Sequence, residues 1–173
     1  PTDGCIRLHL LWIAADADFY DTALVCRDKD VSSPLSRIGV REWTAWQRLT
    51  FPKRGGGVVD GTFRVKLIAL PTAETGPELF CSQVMPVTGW TDPPDIAEEL
   101  TDAVGPFLHQ PGYKQGPAIY GGFADYETMR EEMDYQHDWY AAAAIHLCEN
   151  YDFDLFFLQC HSPDSAQDSR IRE

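Results

Sequence analysis

A chain of 173 residues that is 44% hydrophobic and 24% charged, with five Trp, seven Tyr and nine Phe, holds enough apolar and aromatic material for a packed core. That excludes a disordered chain and leaves room for one domain, or one domain with an insertion. The net charge of −13 lies wholly in the second half: residues 1–90 carry ten acidic and ten basic side chains, residues 91–173 seventeen acidic and four basic (Lys114, Arg130, Arg170, Arg172). Phosphate backbones and anionic lipid surfaces attract Lys/Arg patches, so neither a nucleic-acid polymer nor a membrane is expected as a partner.

In chain order, Ile6–Trp12 places Ile6, Leu8, Leu10 and Trp12 on one face and Arg7 and His9 on the other, the period-two pattern of a half-buried strand. Tyr20–Cys26 is a second strand. Val40–Phe51 offers Trp43, Trp46, Leu49 and Phe51 to a core. Gly61–Leu70 reads as one strand, with Phe63, Val65, Leu67 and Ala69 inward and Thr62, Arg64 and Lys66 mostly outward. Leu79–Met85 follows a turn containing Pro71 and Gly76. Strands joined by short turns predict a small antiparallel β unit over residues 1–88.

The pattern changes after Trp90. Asp92 is placed to cap a short helix that tolerates Pro93 and Pro94 in its first turn and runs to about Val104. Residues 112–122 read as loop. Asp125 caps a long helix with Glu127 in its first turn and with Met129, Met133, Tyr140, Ala144 and Leu147 on one stripe, ending near Asn150. The run Leu155-Phe156-Phe157-Leu158 after it predicts a central parallel strand covered on both faces. Residues 89–173 thus read as an α/β segment, and the whole as α/β, or mixed α+β for these residues alone.

No apolar stretch reaches the ~18–20 residues of a membrane span. The N-terminal Pro-Thr-Asp-Gly-Cys is neither a signal peptide nor a basic leader, and reads like the interior of a gene product. The compartment and the oligomeric state are unspecified. Five widely spaced cysteines without a C-x-x-C argue against a disulfide framework or a zinc ribbon and for buried thiols.

Chemistry is expected just past the run, in Cys160-His161-Ser162-Pro163-Asp164-Ser165-Ala166-Gln167-Asp168, because ligands in open α/β sheets bind outside the carboxyl ends of the strands. His161, Asp164 and Asp168 offer an imidazole and two carboxylates, donors that suit a divalent metal. By pattern alone the same residues also suit a solvated loop, with Asp164 or Ser162 capping a following helix. Lys53-Arg54-Gly55-Gly56-Gly57 lacks P-loop spacing and reads as a turn between strands. His137 and His146 read as helix-face histidines, and Trp43, Trp46 and Trp90 as packing residues or, alternatively, a platform for a nucleobase or sugar.

Tyr151 to Asp164 resembles the alkaline phosphatase superfamily, more narrowly its type I phosphodiesterase/nucleotide pyrophosphatase-like members, in which a buried strand delivers an aspartate in a D-x-x-x-H pattern. Upstream, Glu42-Trp43-Thr44-Ala45-Trp46 resembles the family's "GEWSxW" segment, with Arg41 at its glycine. Gly61–Leu67 resembles its "FRxKL" strand, Ser82-Gln83-Val84 with Gly89–Pro94 its "SQV…GWxDPP" passage, and Asp138–Leu147 the helix before the metal strand. The series covers most of the chain in family order. It implies a metal-dependent hydrolase of small-molecule phosphate esters, in which metals, zinc or else manganese, activate a Thr or Ser nucleophile and hold the phosphoryl oxygens. Asp164 matches the ligand aspartate. Asp168 falls at the family's histidine, a departure, and His161 is a possible substitute or a residue behind the ligands. No Ser or Thr matches the nucleophile, so the chain is expected to be an interior fragment, inactive alone, with the nucleophile and most ligands outside it. A rival expectation from another class is a non-catalytic binding module using the aromatic-rich β unit.

Overall fold

The computed structural model describes residues 6–14, 20–53, 55–72, 74–109 and 125–160. Strands form where β-branched and aromatic residues alternate with polar ones. β1 (His9–Ala14), β2 (Tyr20–Cys26) and β3 (Ser36–Gly39) make one antiparallel sheet with β2 in the centre. Being central, β2 is covered on both faces, and Ala23, Leu24, Val25 and Cys26 are all buried. β4 (Gln47–Pro52), β5 (Val58–Phe63) and the short β8 (Met85–Pro86) form a second sheet, and β6 (Val65–Ala69) pairs with β7 (Glu78–Cys81) in a third. Every pairing is antiparallel. Among the described residues the architecture is α+β, three small antiparallel sheets with two helices, α1 (Ile96–Ala103) and α2 (Tyr126–Asn150).

Two apolar clusters hold the first sheets together. Ala23, Val25, Ile38 and Leu67 pack with Leu8, Leu10 and Trp12, while Leu49, Phe63 and Val65 pack with Ile6, Leu8 and Phe51. The β4–β5 turn is closed by Lys53 N–H to the Gly57 carbonyl at 3.0 Å, and Gly55, Gly56 and Gly57 all take positive φ, the region only glycine enters without cost.

Several expectations need correction. Gly61–Leu70 is two strands, because at Arg64 the chain leaves one sheet for another. There Arg64 N–H donates to Ser82 Oγ and Ser82 N–H to the Arg64 carbonyl, both at 2.9 Å. Lys66, expected outward, is fully buried, and Thr62 is 3% exposed, since the second face of these strands is covered too. β3 went unanticipated. The cap of α1 is Asp95, not Asp92: the two prolines delay the first helical turn, which begins only at Ile96. Helix α2 starts and stops where expected, with Asp125 Oδ1 accepting from Thr128 N–H at 2.8 Å. Met129 and Met133 of the expected stripe are buried, together with Thr128, Glu132, Gln136, Trp139 and Ala143, while Tyr140, Ala144 and Leu147 are only half-buried. Of the cysteines, Cys26 is buried while Cys81, Cys148 and Cys160 are exposed.

The largest difference is at Phe153–Leu158. This run is not a buried parallel strand: it is irregular, with Leu155 81% and Phe157 87% exposed. A strand covered on both faces needs parallel neighbours and two covering layers. The described sheets are antiparallel and lie between His9 and Pro86, so the run has neither.

Candidate functional site

The expected metal ligands His161, Asp164 and Asp168 lie outside the described residues, as does the expected loop at 112–122. Among the described residues no group of three or more His, Cys, Asp or Glu side chains could hold a metal ion, and no helix is long and apolar enough to cross a membrane. What the structure does place is a polar clasp at the end of α2 and a buried charged cluster between β6 and α2.

The clasp is centred on one carboxylate. Glu99 on α1 accepts from Tyr151 Oη at 2.5 Å through Oε2 and from His146 Nε2 at 2.7 Å through Oε1. These two bonds, Tyr151 first, hold the Glu99 carboxyl below its ordinary range, and the same bond to Glu99 raises the Tyr151 phenol. Asn150 Nδ2 donates to the His146 carbonyl at 2.8 Å, and the helix ends with Tyr151 N–H on the Leu147 carbonyl. The clasp therefore fixes the point where the chain leaves α2, seven residues from the end of the apolar run at Leu158. His146, read as a plain helix-face histidine, is one of its members; His137 is half-buried.

A second feature is a buried charged cluster between β6 and α2. Lys66 Nζ, whose side chain is 0% exposed, sits 2.6 Å from Glu131 Oε2, and Trp43 Nε1 donates to the same oxygen at 2.7 Å. Burial alone raises the Glu131 carboxyl, but the bonds from Lys66 and Trp43 outweigh it and leave it below its ordinary value. The Arg64 guanidinium lies 4.1 Å from the Trp43 ring centre, 5.0 Å from Trp46 and 4.7 Å from Tyr135. Three ring faces of negative quadrupole hold it, each contact worth about 0.5–2 kcal/mol. Burial lowers the Arg64 pKa, opposed by the nearby carboxylate of fully buried Glu132. Burial likewise pushes the Tyr135 phenol up to about 12.

Helix α2 also organises the aromatic layer beside it. Trp139 Nε1 donates to the Gly105 carbonyl at 2.7 Å, Tyr135 Oη to Pro106 at 2.6 Å and Gln136 Nε2 to Leu108 at 2.7 Å, so three side chains tie down residues 105–108. Trp90 stacks on Phe107 at 4.9 Å and leans on Trp139. Trp43, Trp46 and Trp90 are thus all engaged in internal packing. Thr44 Oγ1 accepts from Val65 N–H at 3.0 Å, joining the Glu42–Trp46 segment to β6.

Pattern reading missed Lys66, Arg64 and the Glu99 clasp. One signal was present: two adjacent acids, Glu131 and Glu132, sit among the apolar residues of α2, while Arg64 and Lys66 sit two apart among apolar residues of the β unit. In comparisons with known proteins, no family model, no curated protein and no solved structure matches this chain.

Proposed function

We propose that the chain is part of a metal-dependent phosphoric ester hydrolase of the phosphodiesterase or nucleotide pyrophosphatase kind, an antiparallel β unit followed by a piece of an alkaline-phosphatase-like α/β core. The observation that carries this reading is the uncovered run at Leu155–Leu158. Burying Leu155 and Phe157 offers roughly 1.5–3 kcal/mol each, so a Leu-Phe-Phe-Leu run exposed to water has the composition of a core strand whose neighbours come from elsewhere in a larger protein.

A second observation supports the resemblance. Arg41, at the position of the family's glycine, has φ +69°, the left-handed region that glycine occupies without cost. The rival reading, a binding module built on exposed aromatics, has less to draw on, since Trp43 and Trp46 face Arg64 and Trp90 faces Phe107.

In the proposed site Asp164 is a metal ligand, Asp168 stands at the histidine position, and His161 is a further nitrogen donor. Two carboxylates and an imidazole suit zinc or manganese. A bound metal supplies Lewis-acid polarisation of the phosphoryl group. The described residues' own part is positional: the Glu99 clasp and the Lys66–Glu131 pair hold α2 and fix where the chain leaves it at Tyr151.

The test is hydrolysis of bis-p-nitrophenyl phosphate, with metal analysis, in the complete protein that carries this sequence. The expected result is turnover with bound zinc or manganese, and loss of both in Asp164→Ala. Absence of metal, or metal content unchanged by Asp164→Ala, overturns the assignment. The 173 residues alone are expected to show no turnover, and robust hydrolysis by them contradicts the division of the site.

A further inference from the structure

Three basic residues of the β unit are held in ion pairs. Arg41 pairs with Asp125 and Glu127, Arg48 with Asp60, Glu98 and Asp102, and Lys66 with Glu131. Arg7, Arg27, Lys29, Arg37 and Lys53 are in no such pair among the described residues, and Arg7 and Arg27 share a cavity. It has a volume of about 170 Å3, and among the described residues neither of these two arginines has a hydrogen-bond partner.

The cavity lies between the first two sheets. Ile6, Arg7 and Leu8 lead into β1, Arg27 directly follows β2, and Leu49 and Thr50 belong to β4. Its floor is the apolar cluster of Leu49, Phe63 and Val65 with Ile6 and Leu8. The lining contains no carboxylate. Thr50 Oγ1 donates to Asp60 Oδ1 at 2.7 Å, and Asp60 in turn faces Arg48, so that carboxylate is already engaged. Two arginines at one cavity with no carboxylate in its lining give it a positive potential that attracts anions.

We propose that this inter-sheet cavity binds a small organic phosphate monoester. Its dianionic phosphoryl group meets the planar forks of Arg7 and Arg27, which match phosphate oxygens in charge and geometry. Its apolar substituent rests on Ile6, Leu8 and Leu49. The site is independent of the proposed metal ligands and stands whether or not they bind metal.

The experiment is calorimetric or NMR titration of the 173-residue chain with inorganic phosphate and with phenyl phosphate. Saturable binding is expected, tighter for phenyl phosphate because of the apolar floor. Arg7→Gln and Arg27→Gln should each weaken it by about tenfold, the loss of one charge-assisted hydrogen bond. Arg37→Gln, a surface arginine outside the cavity, and Asp164→Ala should leave it unchanged, the latter separating this site from the metal site. Arg7 and Arg27 are exposed, so the variants are expected to keep the parent thermal midpoint. Equal affinity for the parent and the Arg7→Gln/Arg27→Gln chain overturns the proposal, as does no saturable binding at about 10 mM ligand. Equal affinity for the two ligands overturns the role of the apolar floor.

Discussion

The contacts among the β strands and the contact between those strands and α2 are built from different materials. The first is aliphatic: Ala23, Val25, Ile38 and Leu67 close without a charge among them. The second is ionic and aromatic, with Lys66 on Glu131 and Arg64 boxed by Trp43, Trp46 and Tyr135. The acid excess of the second half is therefore partly a docking surface for bases of the first. The three ion-pair sites joining the halves are unequal, however. The pairs of Arg41 and Arg48 are half-exposed and worth about 0–1 kcal/mol each, whereas Lys66 is wholly buried and depends on one carboxylate.

Removing that carboxylate is the strongest way to break the contrast. Glu131→Ala leaves an ammonium buried without its counter-charge and should cost about 3–5 kcal/mol, read as a lower urea midpoint. If it costs no more than a surface pair, the β6–α2 contact is not ionic in origin.

A smaller effect comes from pH. Glu131 titrates below its ordinary value of 4.5 in the folded chain, so its contribution is fully present above that pH and is lost as pH falls through the depressed value. Glu99 has the same sign. Stability should therefore drop on acidification below about pH 4.5, and Glu131→Gln should flatten but not abolish the slope, because Glu99 remains. An unchanged slope would remove Glu131 from the account.

The smallest effect is expected at Arg41. Arg41→Gly relieves a positive φ worth roughly 1–2 kcal/mol and loses a half-exposed pair with Asp125 of about 0–1 kcal/mol. The two nearly cancel, so the thermal midpoint should stay the same or rise slightly. A large loss would mean that the Arg41 pair holds α2 as strongly as Lys66 does.

Legibility in the sequence followed how local each cause was. The strand Tyr20–Cys26, the Asp125 cap and the end of α2 at Asn150 were readable because periodicity and capping act over a few residues. Lys66 was misread because its burial depends on Glu131, 65 positions away, and a strand face looks solvent-bound until its cover is known. Phe153–Leu158 is uncovered here for the converse reason: apolar composition states a preference for burial but cannot supply the partner strands. The clasp of Glu99, His146 and Tyr151 joins residues 47 and 52 positions apart, and no spacing rule reports it. The metal residues His161, Asp164 and Asp168 lie outside the described residues.

The central claim is that the run Leu155–Leu158 is a core strand awaiting its neighbours. Amide hydrogen exchange at these residues, compared between the 173-residue chain and the complete protein that carries it, tests this most directly. The account predicts fast exchange in the chain alone and exchange slower by orders of magnitude in the complete protein, where the run joins a sheet. Equally fast exchange in both would contradict it.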